Sequence, residues 1–253
     1  EAYGVATDSQ NNVIVAGSSD DDYYTIKYDP NGNELWKVSY DGGGNDYAIR
    51  VATDSQNNII VTGYSENVDN NYYYDYYTIK YDPNGNVIWA ESYNSGDDDS
   101  AYGVATDSQN NVIVAGSSND DYYTIKYDPN GNVIWEKSYD SGGYDYANDV
   151  ATDSQNNIIV TGVSENGSDS DYYTIKYGPN GNVIWEKSYD GKDYDTACGV
   201  ATDSQNNAIV TGYSYNGSKN VYYTIKYQGS APTRNKSLPI VQILKILKLY
   251  PKE

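Results

Sequence analysis

The chain has 253 residues and a formal net charge of −20, with 36 acidic side chains against 16 basic ones. A surface this acidic repels nucleic acid and anionic membrane, and attracts cations, basic proteins or neutral glycans. There is no histidine and one cysteine, Cys198, which removes the commonest general base, the usual zinc ligand, Ser-His and Cys-His nucleophile pairs, and any intramolecular disulfide.

From the first residues onward the sequence repeats. The segment V-A-T-D-S-Q-N-N begins at Val5, Val51, Val104, Val150 and Val200, and Y-Y-T-I-K-Y begins at Tyr23, Tyr76, Tyr122, Tyr172 and Tyr222. A tryptophan follows in four of the five units, at Trp36, Trp89, Trp135 and Trp185. Successive V-A-T-D starts lie 46, 53, 46 and 50 residues apart, the length of a propeller blade. Helical repeats of this length are excluded by content: each unit is rich in Val, Ile, Tyr, Thr and Trp, is punctuated by Asn, Asp and Gly, and has no apolar run at i, i+3, i+4, i+7.

The third unit predicts four short strands, a to d, over Ala101 to Thr106, Val112 to Gly116, Tyr122 to Tyr127 and Val133 to Tyr139. The connections Asp107-Ser108-Gln109-Asn110-Asn111 and Asp128-Pro129-Asn130-Gly131-Asn132 read as one turn used twice. Each is a type I turn with Asp first and an αL residue closing it, Asn110 or Gly131. The distance from Y-Y-T-I-K-Y to Trp is always 13 residues and from Trp to the next V-A-T-D always 15, while V-A-T-D to Y-Y-T-I-K-Y varies as 18, 25, 18, 22 and 22. All length variation therefore sits in the b-c loop, and the b-c and d-a loops share one face of a propeller. Function concentrates on variable loops held by a rigid frame.

The expected architecture is all-β, a propeller of five four-stranded blades over units 1–46, 47–99, 100–145, 146–195 and 196–227, the fifth lacking strand d. A linker over 228–237 then leads to an amphipathic tail, 238–253. Ser237 as N-cap and Pro239 in the first turn predict a helix there, with Lys245 and Lys248 on one edge for peripheral contact with a surface. It is too short to span a bilayer; a fourth strand for blade five is the competing use. No initiator Met or secretory signal opens the chain, so Glu1 reads as a processed or truncated start.

In Asp54 to Gly63 and Asp75 to Trp89 the chain resembles the SBBP-type β-propeller repeat, D-x-x-G-N-x-x-V-T-G followed by an aspartate-aromatic strand, K-Y, a D-x-x-G turn and a tryptophan strand. The resemblance covers residues 1 to 227, with Asn in the a-b turn where the family pattern has Gly. It implies a secreted or surface-attached bacterial or archaeal protein, and brings no catalytic motif.

Alternation places Tyr24, Ile26 and Tyr28 on one side of strand c and Tyr23, Thr25 and Lys27 on the other. Repeated tyrosines are read as packing between blades, and the loop tyrosines Tyr72, Tyr73, Tyr74, Tyr144 and Tyr215 as candidate platforms for a glycan. The repeated turn aspartates Asp8, Asp54, Asp107, Asp153 and Asp203 are explained by turn geometry. The c-d turn lacks the later glycine and acid of a calcium loop, so no metal or cofactor is assigned. If calcium binds, the acidic loops Asp20 to Asp22, Asp97 with Asp98 and Asp99, Asp120 with Asp121, and Asp193 with Asp195 are the better candidates. The frame breaks its symmetry just before V-A-T-D: Tyr3, Ile49, Tyr102, Asn148 and Cys198 two residues before, and Gly4, Arg50, Gly103, Asp149 and Gly199 one before. Arg50 and Asp149 are expected near the channel mouth on the variable face. The expected function is a non-catalytic extracellular module binding glycan or protein. The alternatives are a structural spacer within a larger surface protein and a carboxylate-pair glycoside hydrolase.

Overall fold

A computed structural model describes residues 1–68, 72–165, 167, 169–191 and 193–229. The expected tail, 238–253, lies outside them. All described elements are strands. Blade 1 holds β1 (Ala2–Thr7), β2 (Val13–Ser19), β3 (Asp22–Tyr28) and β4 (Glu34–Tyr40). Blade 2 holds β5 (Asp46–Thr53), β6 (Ile59–Asn67), β7 (Tyr73–Tyr81) and β8 (Val87–Tyr93). Blade 3 holds β9 (Asp99–Thr106), β10 (Val112–Ser118), β11 (Asp121–Tyr127) and β12 (Val133–Tyr139). Blade 4 holds β13 (Asp145–Thr152), β14 (Ile158–Ser164), β15 (Asp171–Tyr177) and β16 (Val183–Tyr189), and blade 5 holds β17 (Asp195–Thr202), β18 (Ala208–Tyr215) and β19 (Asn220–Tyr227). Each blade is an antiparallel meander with sequential strands adjacent.

The turns follow the chemistry read from the sequence. Asn110 and Gly131 adopt positive φ, 64° and 91°. In the a-b turn Asn110 N–H donates to Asp107 O at 2.9 Å, while Asp107 Oδ1 accepts the N–H groups of Gln109 and Asn111. The shortest b-c loops turn on Asp20-Asp21 and Asn119-Asp120, both pairs at positive φ, the type I′ geometry that suits strand twist.

Blades are joined by bonds written into the repeat. The innermost strands are linked by threonine hydroxyls, Thr53 Oγ1 to Thr7 O, Thr106 to Thr53, Thr152 to Thr106 and Thr202 to Thr152, at 2.9–3.1 Å. The αL asparagine of each a-b turn accepts from the serine of the preceding blade, as Asn110 Oδ1 does from Ser55 N–H at 3.1 Å. The first tyrosine of Y-Y-T-I-K-Y reaches the next blade: Tyr122 Oη donates to Tyr173 O at 2.8 Å, with Tyr23, Tyr76 and Tyr172 repeating the bond. Beside it the last tyrosine of strand d stacks on the next blade's second tyrosine, Tyr139 on Tyr173 at 4.1 Å. Trp89 lies across Gly131 of the next blade's turn, 3.0 Å from where a Cβ would stand, and its Nε1 donates to Pro129 O. A glycine there thus serves both φ and packing.

The face of strand c that carries lysine is the more buried one in blade 1. Lys27, Lys80, Lys126 and Lys176 are fully buried and pair with Asp8, Asp54, Asp107 and Asp153 at 2.7–3.0 Å. Lys27, Lys80 and Lys126 also donate to Pro83 O, Pro129 O and Pro179 O of the following blade. Burial pushes the Asp8, Asp107 and Asp153 carboxyls up, but the turn-asparagine amide, the lysine and the turn N–H groups outweigh it and hold all three below the ordinary 3.8. The native state therefore binds fewer protons than the unfolded chain below that value, and its extra stability is fully present above about pH 4 and lost as the pH falls through the native pKa values. An acid titration followed by circular dichroism is expected to show cooperative unfolding whose midpoint lies below the ordinary carboxylate range. Asp153→Asn is expected to flatten that acid limb.

Four junctions are packed in this way. At the outer faces the equivalent side chains are bare: Tyr222 is 96% exposed where Tyr172 is 0%, and Val5 is 69% exposed where Val150 is 4%. Among the described residues the five blades form an arc in which no other blade covers either terminal face.

Candidate functional site

The b-c and d-a loops rise around the mouth of the central channel, where two adjoining cavities open. The lower, about 370 Å³, is lined by Ile49, Arg50, Tyr102, Tyr146, Asn148, Thr196, Cys198 and Tyr213. The upper, about 250 Å³, shares Tyr102, Tyr146 and Asn148 and adds Ser117, Asp120, Tyr144 and Asp145. The lining has a simple origin. Positions two and four residues before V-A-T-D project to the same side of the innermost strand, and the residue after the glycine of strand b stands opposite the latter, as in the pairs Tyr47–Tyr64, Ser100–Ser117, Tyr146–Val163 and Thr196–Tyr213. These are variable positions inside a constant frame. That glycine is itself fixed: a Cβ on Gly116 would stand 2.0 Å from Ser100 O and 2.7 Å from Tyr76 Oη.

One quarter of the mouth is aromatic. Tyr64 packs against Tyr47 at 5.2 Å, Tyr74 at 5.0 Å and Tyr102 at 6.4 Å. Burial pushes the Tyr64 phenol up to about 12, so this ring stays a neutral donor and acceptor. Arg50 lines the lower cavity, its Nη1 donating to Ile49 O at 3.1 Å. Asp149 turns into the frame: Oδ1 accepts Val150 N–H and Oδ2 accepts Val200 N–H of the next blade, both at 2.9 Å. Burial pushes its carboxyl up, against the two N–H groups and the Arg50 charge. Asn148 Nδ2 likewise donates to Ala197 O at 2.8 Å. Burial raises the exposed Cys198 thiol above its ordinary pKa, which disfavours a reactive thiolate.

Of the residues singled out in the sequence, Arg50 and Tyr144 line the two cavities, while Asp149 lines neither and feels the Arg50 charge. Tyr72 is exposed at positive φ and Tyr73 opens β7 half-buried. Tyr215 is half-buried at the end of β18. Asp97 and Asp98 are exposed: Asp97 Oδ1 accepts Asp98 N–H at 2.9 Å, and Asp98 Oδ1 accepts Tyr74 N–H of β7 at 3.0 Å. Asp193 accepts Tyr194 N–H at 3.0 Å. The acids that do converge join three of the acidic-loop candidates, Asp22, Asp121 and Asp195, to others: Asp22 with Asp41 and Asp46, Asp121 with Asp140 and Asp145, and Asp171 with Asp190 and Asp195. Burial, together with the neighbouring aspartates, pushes the Asp121 and Asp171 carboxyls up to about 6.

These blades, wound around a channel with their varied residues at one mouth, make the chain a five-bladed β-propeller. Among solved structures it is similar to the WD40 domain of Neurospora crassa Pan2, with TM-score 0.60 and 11% identity over 90% of this chain and 62% of that one. It is also similar to Sqt1 from Chaetomium thermophilum, with TM-score 0.58 and 10% identity over 90% of this chain and 56% of that one. A third is the PQQ-bound aldose sugar dehydrogenase of Streptomyces coelicolor, with TM-score 0.53 and 12% identity over 90% of this chain and 79% of that one. At such identities the likeness is one of fold. No family model and no curated protein matches the sequence. Among the described residues no helix is long and apolar enough to cross a membrane.

Proposed function

We infer that the chain is a non-catalytic binding module of SBBP type, presented outside the cell, that takes a glycan or protein ligand at the channel mouth and the surrounding loops. The observation that carries this reading is the convergence of the symmetry-breaking positions Ile49, Tyr102, Asn148 and Cys198, with Arg50, on one cavity. These equivalent positions ring the channel by the symmetry of the blades, and here they supply an aliphatic group, a phenol, an amide and a thiol beside a guanidinium. Tyrosine rings beside an amide and a guanidinium suit a neutral, hydroxyl-rich ligand, which stacks on the rings and hydrogen-bonds at its edges. The acidic rim extends the same preference to basic protein segments. A spacer role would leave the mouth without a ligand.

A glycan array followed by calorimetry on the hits tests this. Tyr102→Ala is expected to weaken binding by about 1–3 kcal/mol, about 5- to 150-fold, with the melting temperature held within a few degrees. Unchanged binding after Tyr102→Ala together with replacement of the b-c loops would sink the reading. Turnover of a polysaccharide panel, abolished by a single Asp→Asn change, would replace it with the hydrolase.

A further inference from the structure

We propose that three of the four blade junctions are divalent-cation sites of the calcium type, each built from an aspartate that opens strand c, an aspartate that follows strand d, and an aspartate that opens strand a of the next blade. In each, one carboxylate oxygen per residue lies within 4.8 Å of the others. The first joins Asp22 and Asp41 of blade 1 to Asp46 of blade 2; the others are Asp121, Asp140 and Asp145, and Asp171, Asp190 and Asp195.

Acidic residues crowd on many surfaces without a ligand, and what distinguishes these is burial. Asp46, Asp145 and Asp195 are fully buried and Asp171 nearly so, whereas Asp41, Asp140 and Asp190 are exposed. Each cluster is thus closed on the blade side and open to solvent at one acid. One oxygen of Asp46 and of Asp195 is held by a backbone N–H, from Gly42 and Gly191. The other oxygen, Oδ1 in both, is buried with no hydrogen-bond partner, as is Asp171 Oδ1. In the middle cluster Ser141 Oγ donates to Asp145 Oδ1 at 2.9 Å. Buried carboxylates need pairing or a metal, and among the described residues no lysine pairs with Asp46, Asp145, Asp171 or Asp195. Three hard oxygen donors, one of them reached by solvent, match calcium, which accepts six to eight oxygens, waters included, in flexible geometry.

The remaining junction shows what happens when the middle acid is lost. Blades 2 and 3 bring Asp75 and Asp99 together, but the residue after strand d is Asn94. Its Nδ2 donates to Asp75 Oδ2 at 3.2 Å, and Asn67 Nδ2 donates to the same oxygen at 2.9 Å. Side-chain amide N–H groups stand there where the other junctions present a third carboxylate. Asp75 Oδ1 and Asp99 Oδ1 still lack partners, so the junction keeps two buried carboxylates with one charge fewer.

The experiment uses the whole chain, stripped with chelator and dialysed against calcium chloride, with bound metal measured by elemental analysis and terbium luminescence sensitised by the adjacent tyrosines Tyr23, Tyr122 and Tyr172. Three calcium ions per chain are expected, with dissociation constants of about 10⁻⁵ to 10⁻³ M, and a calcium-dependent rise in melting temperature on the order of 10 °C. Magnesium at equal ionic strength controls for screening. Asp41→Asn, Asp140→Asn and Asp190→Asn each copy the natural blade 2–3 junction and are expected to remove one ion apiece. The triple variant is expected to melt no lower than the parent in chelator yet gain nothing from calcium, and Asn94→Asp is expected to add a fourth ion. No uptake at 10 mM calcium, on the order of ten times the weakest expected constant, would overturn the proposal. So would uptake unchanged in the triple variant.

Discussion

Changing Asp153 to asparagine is expected to cost about 3–5 kcal/mol, because it removes one partner of a buried ion pair and leaves the other charge uncompensated. For a domain of this size that is a fall in melting temperature of about 6–20 °C. Lys176 and Asp153 are both 0% exposed at their side chains and meet at 2.7 Å. Lys176 also donates to Asn206 O and Gly229 O, and Asp153 accepts Gln155 N–H, Asn157 N–H and Asn157 Nδ2. The lysine therefore ties strand c to the turn of its own blade and to the next blade at once. Lys176→Met should cost less, since Asp153 keeps its turn donors. Asp203→Asn is the internal comparison. Its partner Lys226 is 38% exposed, and an ion pair so open to solvent contributes only about 0–1 kcal/mol. Equal losses for Asp153→Asn and Asp203→Asn in thermal and urea unfolding would contradict this account of the frame.

The second large effect separates two tyrosines with the same place in the repeat. Tyr122 is 1% exposed, meets Tyr139 and Tyr173 edge to face at 6.0 and 5.9 Å, and donates to Tyr173 O. Truncating a buried aromatic to alanine costs about 3–5 kcal/mol through lost transfer energy and the cavity left behind. Tyr122→Phe isolates the hydroxyl and should cost about 1 kcal/mol. Tyr222 occupies the corresponding position of blade 5 and is 96% exposed. Tyr222→Ala is expected to change stability by less than about 0.5 kcal/mol. Parallel denaturation curves give the contrast directly, and a large loss from Tyr222→Ala would mean that the outer face of blade 5 is covered in solution.

Much of this was legible before any coordinates. Five recurrences of two segments specify blades, Val-Ile-Tyr alternation specifies strands, and the Asp-first turns with Asn or Gly at αL specify hairpins. The mouth was legible in one respect: the positions that vary inside a constant frame include Ile49, Tyr102, Asn148 and Cys198, which meet at one cavity. Tyr146 and Tyr213 escaped because their contribution depends on cross-strand pairing, which a linear pattern does not reveal. The burial of lysine escaped for a related reason. Alternation divides strand c into two sides, but only packing of the next blade decides which side is dry. Asp22 was legible as part of an acidic-loop cation candidate, but its companions Asp41 and Asp46 escaped because the three are separated along the chain and converge only across a blade junction.

The junction bonds also have a direction. Tyrosine, lysine and tryptophan of one blade donate forward to the next, while threonine of the next blade donates back and its turn asparagine accepts from behind. Each of the first four units carries both halves of one contact, a leading side and a trailing side, so consecutive copies of such a unit are complementary without further change. Duplication of a single unit in the gene would create a finished interface at the new boundary in one step. An array of this kind can change its length by whole units while keeping each joint intact, and variation is then free to accumulate where the joints do not reach, at the mouth of the channel.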